Sequence, residues 1–78
     1  MNERAQQIAS TLRAVVAETR RLGYPPTYVE IAVALGLADH SSARRRLSTL
    51  RKYGLLAFES RQPRSLKLTD AGRALLAS

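Results

Sequence analysis

Cysteine is absent from this chain of 78 residues, and histidine occurs once, as His40. Without cysteine there is neither a disulfide framework nor a thiolate metal site, and a lone histidine cannot complete a metal site, so we predict no metal and no cofactor. Long apolar runs are also missing, since no stretch approaches the ~18 residues that a membrane span needs. The first residues lack the charged-then-apolar pattern of a signal peptide. We therefore expect a cytoplasmic protein without a membrane partner.

The groupings of residues that catalysis needs are missing as well. The sequence holds no phosphate-binding loop, no cluster of metal ligands and no nucleophile paired with a base, so we predict no catalytic residues and no enzymatic activity. A chain this short buries only a little over ~60% of its extendable surface, which leaves room for one hydrophobic core. We therefore predict a single domain over residues 1–78.

Acidic residues are scarce in one part of the chain. Between His40 and Lys67 there are eight basic residues and one acid, Glu59, whereas the rest of the chain holds five of each sign. The whole net charge of +7 therefore falls in this segment. Such asymmetry is expected of a face that binds a polyanion. A basic face that serves only solubility is the alternative that charge alone leaves open.

Apolar spacing and capping residues predict the first two helices. An apolar stripe at helical spacing indicates a first helix that ends near Leu22; the stripe is Ile8, Leu12, Val15, Val16 and Leu22. Thr27 and Glu30 have the spacing of a capping box, in which each side chain bonds a backbone N–H of the other residue. This box opens a second helix, with Ile31 and Leu35 pointing inward.

The next segment predicts a helix-turn-helix. Gly36 supplies the positive φ of a tight turn, and Asp39 is the expected N-cap of a third helix that stops at Gly54. Two short helices about three residues apart, with a glycine in the turn, are the signature of this motif. Its second helix is the one expected to lie in the major groove of DNA.

A hairpin and a last helix are predicted to follow. Leu56 and Phe58 alternate with polar or small residues, as do Leu66 and Leu68, and a proline-bearing turn joins the two segments. Thr69 is the expected cap of a final short helix, which Gly72 is expected to weaken. The predicted fold is α+β, mainly α: a winged helix-turn-helix with three helices, a two-stranded wing hairpin and a short C-terminal helix. Its parts are the helix-turn-helix at 27–53, the wing at 55–68 and the C-terminal helix at 70–77.

One face of the third helix has the chemistry of a DNA-reading surface. Ala43, Leu47 and Leu50 share one arc and are expected to pack on the core. Arginine can donate two hydrogen bonds to guanine and serine can meet either kind of base edge, so the residues on and beside the opposite arc are the predicted major-groove contacts: Ser41, Ser42, Arg44, Arg45 and Ser48. For each arginine the alternative is a plain exposed surface residue.

Other basic or aromatic residues are predicted to contact the DNA backbone. These backbone candidates are Tyr28, Arg46, Arg51 and Lys52, and the wing candidates are Arg61, Arg64 and Lys67. Tyr28 has a packing role as its alternative, and the stem of Arg46 is expected to lie along apolar surface. Tyr24 and Phe58 are expected in the core.

The run Gly23-Tyr24-Pro25-Pro26-Thr27, followed by Glu30-Ile31-Ala32, Leu35-Gly36-Leu37 and Leu47-x-x-Leu50, resembles the N-terminal DNA-binding domain of the LexA repressor family. The resemblance implies a winged helix-turn-helix, base reading by Ser41, Ser42, Arg44 and Arg45, and a helix cap at Asp39. Arginines stand where that family often has glutamates, which implies a different operator. The end of the chain, from Leu68 to Leu76, looks like the close of a MarR-type winged helix. No serine-lysine protease segment follows in this sequence, so self-cleavage is not the expected switch.

The leading hypothesis is sequence-specific binding of double-stranded DNA by a small transcriptional regulator, which we expect to be a nucleoid-associated repressor. The alternative is a winged-helix module that binds proteins and no specific DNA. We also expect a homodimer on an inverted repeat, because one winged helix buries only roughly 600–1,000 Å² on DNA. The expected seam is Leu75, Leu76 and the first helix: if Leu75 packs inward, Leu76 remains exposed. The alternative is that both leucines complete the core.

Overall fold

The computed structural model describes residues 3–78, which form four helices and one hairpin. The elements in chain order are α1 Glu3–Leu22, α2 Tyr28–Ala34, α3 His40–Lys52, β1 Leu56–Ala57, β2 Lys67–Leu68 and α4 Asp70–Ala77. The strands pair antiparallel, with Leu56 opposite Leu68 and Ala57 opposite Lys67. The winged helix-turn-helix predicted from the sequence is thus confirmed, and among residues 3–78 no helix is long and apolar enough to cross a membrane.

The predicted caps begin the second, third and fourth helices. Thr27 Oγ1 accepts from the backbone N–H of Glu30 at 3.2 Å, and Glu30 Oε1 accepts from the N–H of Thr27 at 2.8 Å, which completes the capping box. Asp39 caps α3 and Thr69 caps α4 through their side-chain oxygens. Gly36, between α2 and α3, has the expected positive φ of +69°. Local hydrogen-bonding chemistry therefore sets where these helices begin.

The core lies between α1, the helix-turn-helix and the base of the hairpin. Its buried hydrophobic cluster comprises Leu12, Val15, Ile31, Leu47, Leu50, Leu56, Leu66 and Leu68. The third helix contributes Leu47 and Leu50 to this cluster from one arc, so its opposite side faces solvent. Phe58 packs half-buried against this cluster, as expected of it.

The wing has shorter strands than the alternation predicted. Leu56, Leu66 and Leu68 are buried as expected, but the backbone ladder includes only two residues on each side. Beyond this ladder the Ser65 hydroxyl bonds the backbone of the turn: its Oγ accepts from the N–H of Glu59 at 2.8 Å and donates to the carbonyl of Gln62 at 2.7 Å. A side-chain hydroxyl thus replaces strand pairing near the tip.

The last helix departs from the expected packing of its two leucines. Leu76 packs against the core and Leu75 is 43% exposed, so the condition for an exposed Leu76, an inward Leu75, is not met, and the alternative that both leucines complete the core is wrong. Gly72 is buried, and a Cβ built there would collide with the backbone carbonyl of Leu55. Gly72 therefore permits close packing of α4 on the segment before β1, rather than merely weakening the helix.

Candidate nucleic-acid interface

The third helix presents one buried face and one solvent-facing one. Ala43, Leu47 and Leu50 are 0%, 3% and 2% exposed and fix the helix on the core. The residues of the opposite arc, which we call the reading face, are all exposed: Ser41, Arg45, Ser48 and Lys52. Arg44 beside them is also exposed, whereas Ser42 and Arg46 are half-buried. Burial of one arc thus orients hydroxyl and guanidinium groups outward on the other.

The first turn of α3 is held by Asp39. Its Oδ1 accepts from the N–H of Ser41 at 2.9 Å, and the N–H of Ser42 donates to the Asp39 carbonyl at 3.1 Å. Hydrogen bonds from the backbone and then the side chain of Ser41, with smaller contributions from the charges of Arg45 and His40, hold the pKa of the Asp39 carboxyl below its ordinary value. The cap therefore stays ionised at neutral pH and fixes the end of the helix where Ser41 and Ser42 lie.

A groove separates α3 from the wing. This wing groove has a volume of about 570 Å³, and its lining includes Tyr28, Arg44, Ser48, Arg51, Phe58 and Arg61. Residues from α2, α3 and the wing therefore meet on one side of the reading face. The three arginines come from two separate segments of the chain, which the fold brings together.

Arginine side chains also link α3 to its neighbours. The Arg51 guanidinium lies 4.3 Å from the Phe58 ring centroid, and its Nη1 donates to the Phe58 carbonyl at 3.2 Å. The Arg44 guanidinium lies 5.8 Å from the ring of Tyr28, which is 40% exposed. Cation–π contacts at these distances are attractive. Arg51 thus fixes the wing to the last turn of α3.

Arg64 fixes the wing to the other helix of the motif. Its Nη1 donates to Glu30 Oε1 at 2.9 Å and to the Pro25 carbonyl at 3.0 Å, and its Nη2 donates to Glu30 Oε2 at 3.2 Å. Its guanidinium also lies 4.6 Å from the Tyr24 ring. Tyr24 is 47% exposed, so its expected place in the core is wrong: its ring lies against Arg64 of the wing.

The Arg64 pair changes the ionisation of both partners. Hydrogen bonds from Arg64, and then from the Thr27 backbone, lower the pKa of the Glu30 carboxyl, while Glu30 raises the pKa of Arg64. Glu30 therefore both closes the capping box of α2 and binds Arg64 of the wing.

Ion pairs lie away from the third helix. Among residues 3–78 they join Arg21 to Glu18, Arg64 to Glu30 and Arg73 to Asp70. No cation of α3 forms an ion pair within that range; these cations are Arg44, Arg45, Arg46, Arg51 and Lys52. The positive charge of the helix therefore remains uncompensated, as is expected where an anionic partner binds.

Comparison with known protein families decides the classification. The family model described as the LexA DNA binding domain matches residues 1–65, which include all of α1, α2, α3 and β1. This chain belongs to the LexA DNA-binding domain family. The resemblance inferred from the Gly23 to Thr27 run and the Glu30-Ile31-Ala32 segment is thus confirmed.

Several LexA repressors are similar to this LexA DNA-binding domain. That of Oenococcus oeni is 38% identical over 65 residues, covering 82% of this chain and 31% of the relative. That of Bacillus subtilis is 33% identical over 70 residues, covering 90% and 34%. That of an Exiguobacterium species is 39% identical over 71 residues, covering 90% and 33%. The chain spans about a third of the length of the curated relatives it matches.

In this LexA domain, the sequence-predicted site residues fall into two groups. Most lie exposed on the reading face, beside it or around the wing groove; Lys67 and Arg61 are exposed on the wing itself. Arg51 and Arg64 differ, because their guanidinium groups already bond backbone or side-chain oxygens of the protein. Groups of three or more potential metal ligands are absent from residues 3–78.

The sequence analysis singled out no residue of α1 for the candidate site, although α1 lines a cleft beside α3. Arg4, Gln7 and Thr11 line a second cleft on the side of α3 opposite the wing groove, together with Arg45 and Arg46. The available signal was spacing: residues 4, 8 and 11 share one side of a helix, and Ile8 belongs to the predicted apolar stripe. A cation four residues before Ile8 therefore lies at the edge of the face that packs inward.

Proposed function

We propose that residues 1–78 act as one winged helix-turn-helix domain that binds double-stranded DNA sequence-specifically, with α3 in the major groove, and that the protein is a transcriptional repressor that occludes a promoter on the nucleoid DNA. The observation that carries this proposal is the reading face of α3, whose cations have no ion pair among residues 3–78. The family assignment and the name shared by the relatives, LexA repressor, support it.

The residues divide by what they can donate and where they lie. Ser41, Ser42, Arg44, Arg45 and Ser48 are the proposed base-edge contacts, since serine and arginine match the donor and acceptor pattern of the major groove. Tyr28, Arg46 and Lys52 flank that set and are proposed to hold the phosphates that fix the register of the helix on the duplex. Base contacts select the sequence, and phosphate contacts supply affinity for any duplex.

The wing is proposed to extend the contact beyond the major groove. Arg61 and Lys67 are exposed there and carry no ion pair among residues 3–78, so they can meet phosphate or the adjoining minor groove. Arg64 and Arg51 belong to the same proposed site, and their bonds to Glu30, Pro25 and Phe58 give them the role of positioning the wing. Recognition helix and wing then approach the duplex in one fixed relative orientation.

Site selection from a random duplex pool, followed by fluorescence anisotropy at several salt concentrations, tests this function. Four to six phosphate contacts imply that log K falls against log salt with a slope of about −3.5 to −5.5, because each neutralised phosphate releases condensed counterions. A scrambled duplex should show a similar slope at weaker affinity. No enriched sequence, with a flat salt dependence, would instead favour a module that binds proteins.

We further propose that two copies occupy an inverted repeat. A single module buries too little surface on DNA for strong discrimination, so contacts from two half-sites must combine. The exposed Leu75 on α4 is the proposed seam, and Leu76 supports it from the core side. The first helix is proposed to contribute through Ala5, Ala9 and Ala17, whose small side chains permit close approach. Sedimentation with a palindromic duplex should give two chains per duplex. One chain per palindrome refutes the dimer, and an unaffected Leu75→Lys variant refutes the seam.

A further inference from the structure

A cleft lies between the N-terminal half of α1 and the side of α3 that faces away from the wing. This α1–α3 cleft has a volume of about 330 Å³ and is open to solvent; its lining includes Arg4, Gln7 and Thr11 from α1, with Arg45 and Arg46 from α3 and Tyr53 just after it. Its walls therefore offer guanidinium and amide groups from two separate helices and the phenol of Tyr53, all of which can donate hydrogen bonds to an oxyanion. The Thr11 hydroxyl is not among these donors, because it donates to the Gln7 carbonyl at 2.8 Å.

The cleft gathers three positive charges without an acid among its lining residues. Arg4, Arg45 and Arg46 form no ion pair within residues 3–78, although three other arginines of the same range do. Asp39 is the acid that the charge of Arg45 affects, but its carboxylate is hydrogen-bonded to the Ser41 N–H as the helix cap. Like charges that converge without compensation repel, and an anion between them removes that repulsion.

The position of the cleft indicates which anion fits. Arg45 belongs both to the cleft and to the reading face, so the cleft begins where that face ends. The wing groove, with Arg44, Arg51 and Arg61, borders the opposite side. A helix in the major groove lies between two phosphate strands. With α3 in the major groove, as proposed above, the α1–α3 cleft would lie beside one strand and the wing groove beside the other.

We infer that the α1–α3 cleft is a binding site for the backbone phosphate of duplex DNA and that Arg4 is a phosphate contact supplied by the first helix. This inference rests on the proposed function and adds α1 to its interface. Arg46 and Tyr53 complete the cleft from the α3 side, which leaves Arg45 able to turn toward the base edges. The first helix then has two tasks, packing through Leu12 and Val15 and binding DNA through its opening turn.

The test compares Arg4→Gln with Arg13→Gln on the selected duplex. Both variants remove one positive charge from an exposed position of α1, but Arg13 does not line the cleft, so it controls for long-range attraction. Arg4→Gln should reduce the magnitude of the salt slope by about 0.9 and weaken specific and scrambled duplex by the same factor. Arg13→Gln should leave the slope unchanged, and Arg4→Lys should restore it.

Each remaining outcome decides the matter. Equal slopes for Arg4→Gln, Arg13→Gln and the unmodified chain overturn the inference while leaving specific DNA binding in place. A change in the selected base sequence with Arg4→Lys overturns it too, since the contact would then be to a base. Saturation of cleft amide signals by inorganic phosphate alone, with an unchanged slope for Arg4→Gln, would assign the cleft to a free anion. If the unmodified chain binds no duplex specifically, the proposed function itself fails.

Discussion

Replacing Gly72 with alanine sets two effects of opposite sign against each other. Alanine is favoured over glycine inside a helix by about 1 kcal/mol, so propensity alone predicts a more stable protein. The structure predicts the reverse, because the new Cβ would collide with the Leu55 carbonyl oxygen. That oxygen cannot move freely, since it accepts from the N–H of Thr69 at 3.2 Å.

The steric effect is the larger one. Overpacking a tight site costs about 1–3 kcal/mol, and losing the Thr69 bond would add about 0.5–1.5 kcal/mol. After the gain in propensity, we expect a net loss of about 0.5–3.5 kcal/mol. Each kcal/mol corresponds to roughly 4–8 °C in Tm for a domain of this size. Thermal unfolding followed by circular dichroism measures it. Ala74→Gly, at an exposed position of the same helix, is the control and should lose only the propensity. A Tm for Gly72→Ala at or above that of the unmodified chain would refute the steric argument.

Three further outcomes are expected from the interface. Arg45→Ala should weaken binding to the best site by about 1–3 kcal/mol and relax the preference at one base pair in a repeated selection, whereas Arg61→Ala should weaken most sequences alike. Glu30→Gln and Arg64→Gln should each weaken binding without changing the salt slope, and the double variant should be no worse than either single one. Tighter binding by Glu30→Gln would show instead that Arg64 contacts phosphate directly.

The third outcome concerns acid. Because the folded pKa of Glu30 is below its unfolded value of about 4.3, its contribution to stability is complete above that pH and is lost as the pH falls through the folded pKa. Between about pH 6 and pH 3, the Tm of the Glu30→Gln variant should therefore fall less steeply than that of the unmodified chain. Glutamine can still serve in the capping box, so the variant removes only the titrating group. Parallel curves for the two proteins would contradict this.

Local chemistry explains why so much of the architecture could be predicted from the sequence. Thr27, Glu30 and Asp39 cap their helices with side chains that lie within three residues of the bonded N–H groups, and Gly36 needs only its own φ. The buried arc of α3 follows in the same way from helical periodicity. All of these features depend on neighbours along the chain.

Contacts between distant segments account for the incorrect expectations. The aromatic side chain of Tyr24 suggested a place in the core, but its ring contacts Arg64, which lies forty residues later and could not be paired with it from local sequence. Gly72 packs on the backbone carbonyl of Leu55, and no local sequence pattern predicts so close an approach between these two segments. The choice between Leu75 and Leu76 depended on the rotation of a short helix about its axis, which is set by packing against α1 and the hairpin. Arg4 was missed because its role needs the cleft that two helices form.

Under the proposed function, the reading face separates the sequence specificity of this domain from its stability. The side chains of Arg45, Ser48 and Lys52 form no ion pair within the range 3–78, and that of Ser41 bonds only the exposed Asp39 cap, so the core does not depend on their identity. Substitutions at exposed positions of this kind usually change stability by no more than about 0.5 kcal/mol. A few mutations there could therefore direct the same scaffold to another operator. A gene duplicate could acquire a new regulon without first needing a stabilising change in its core.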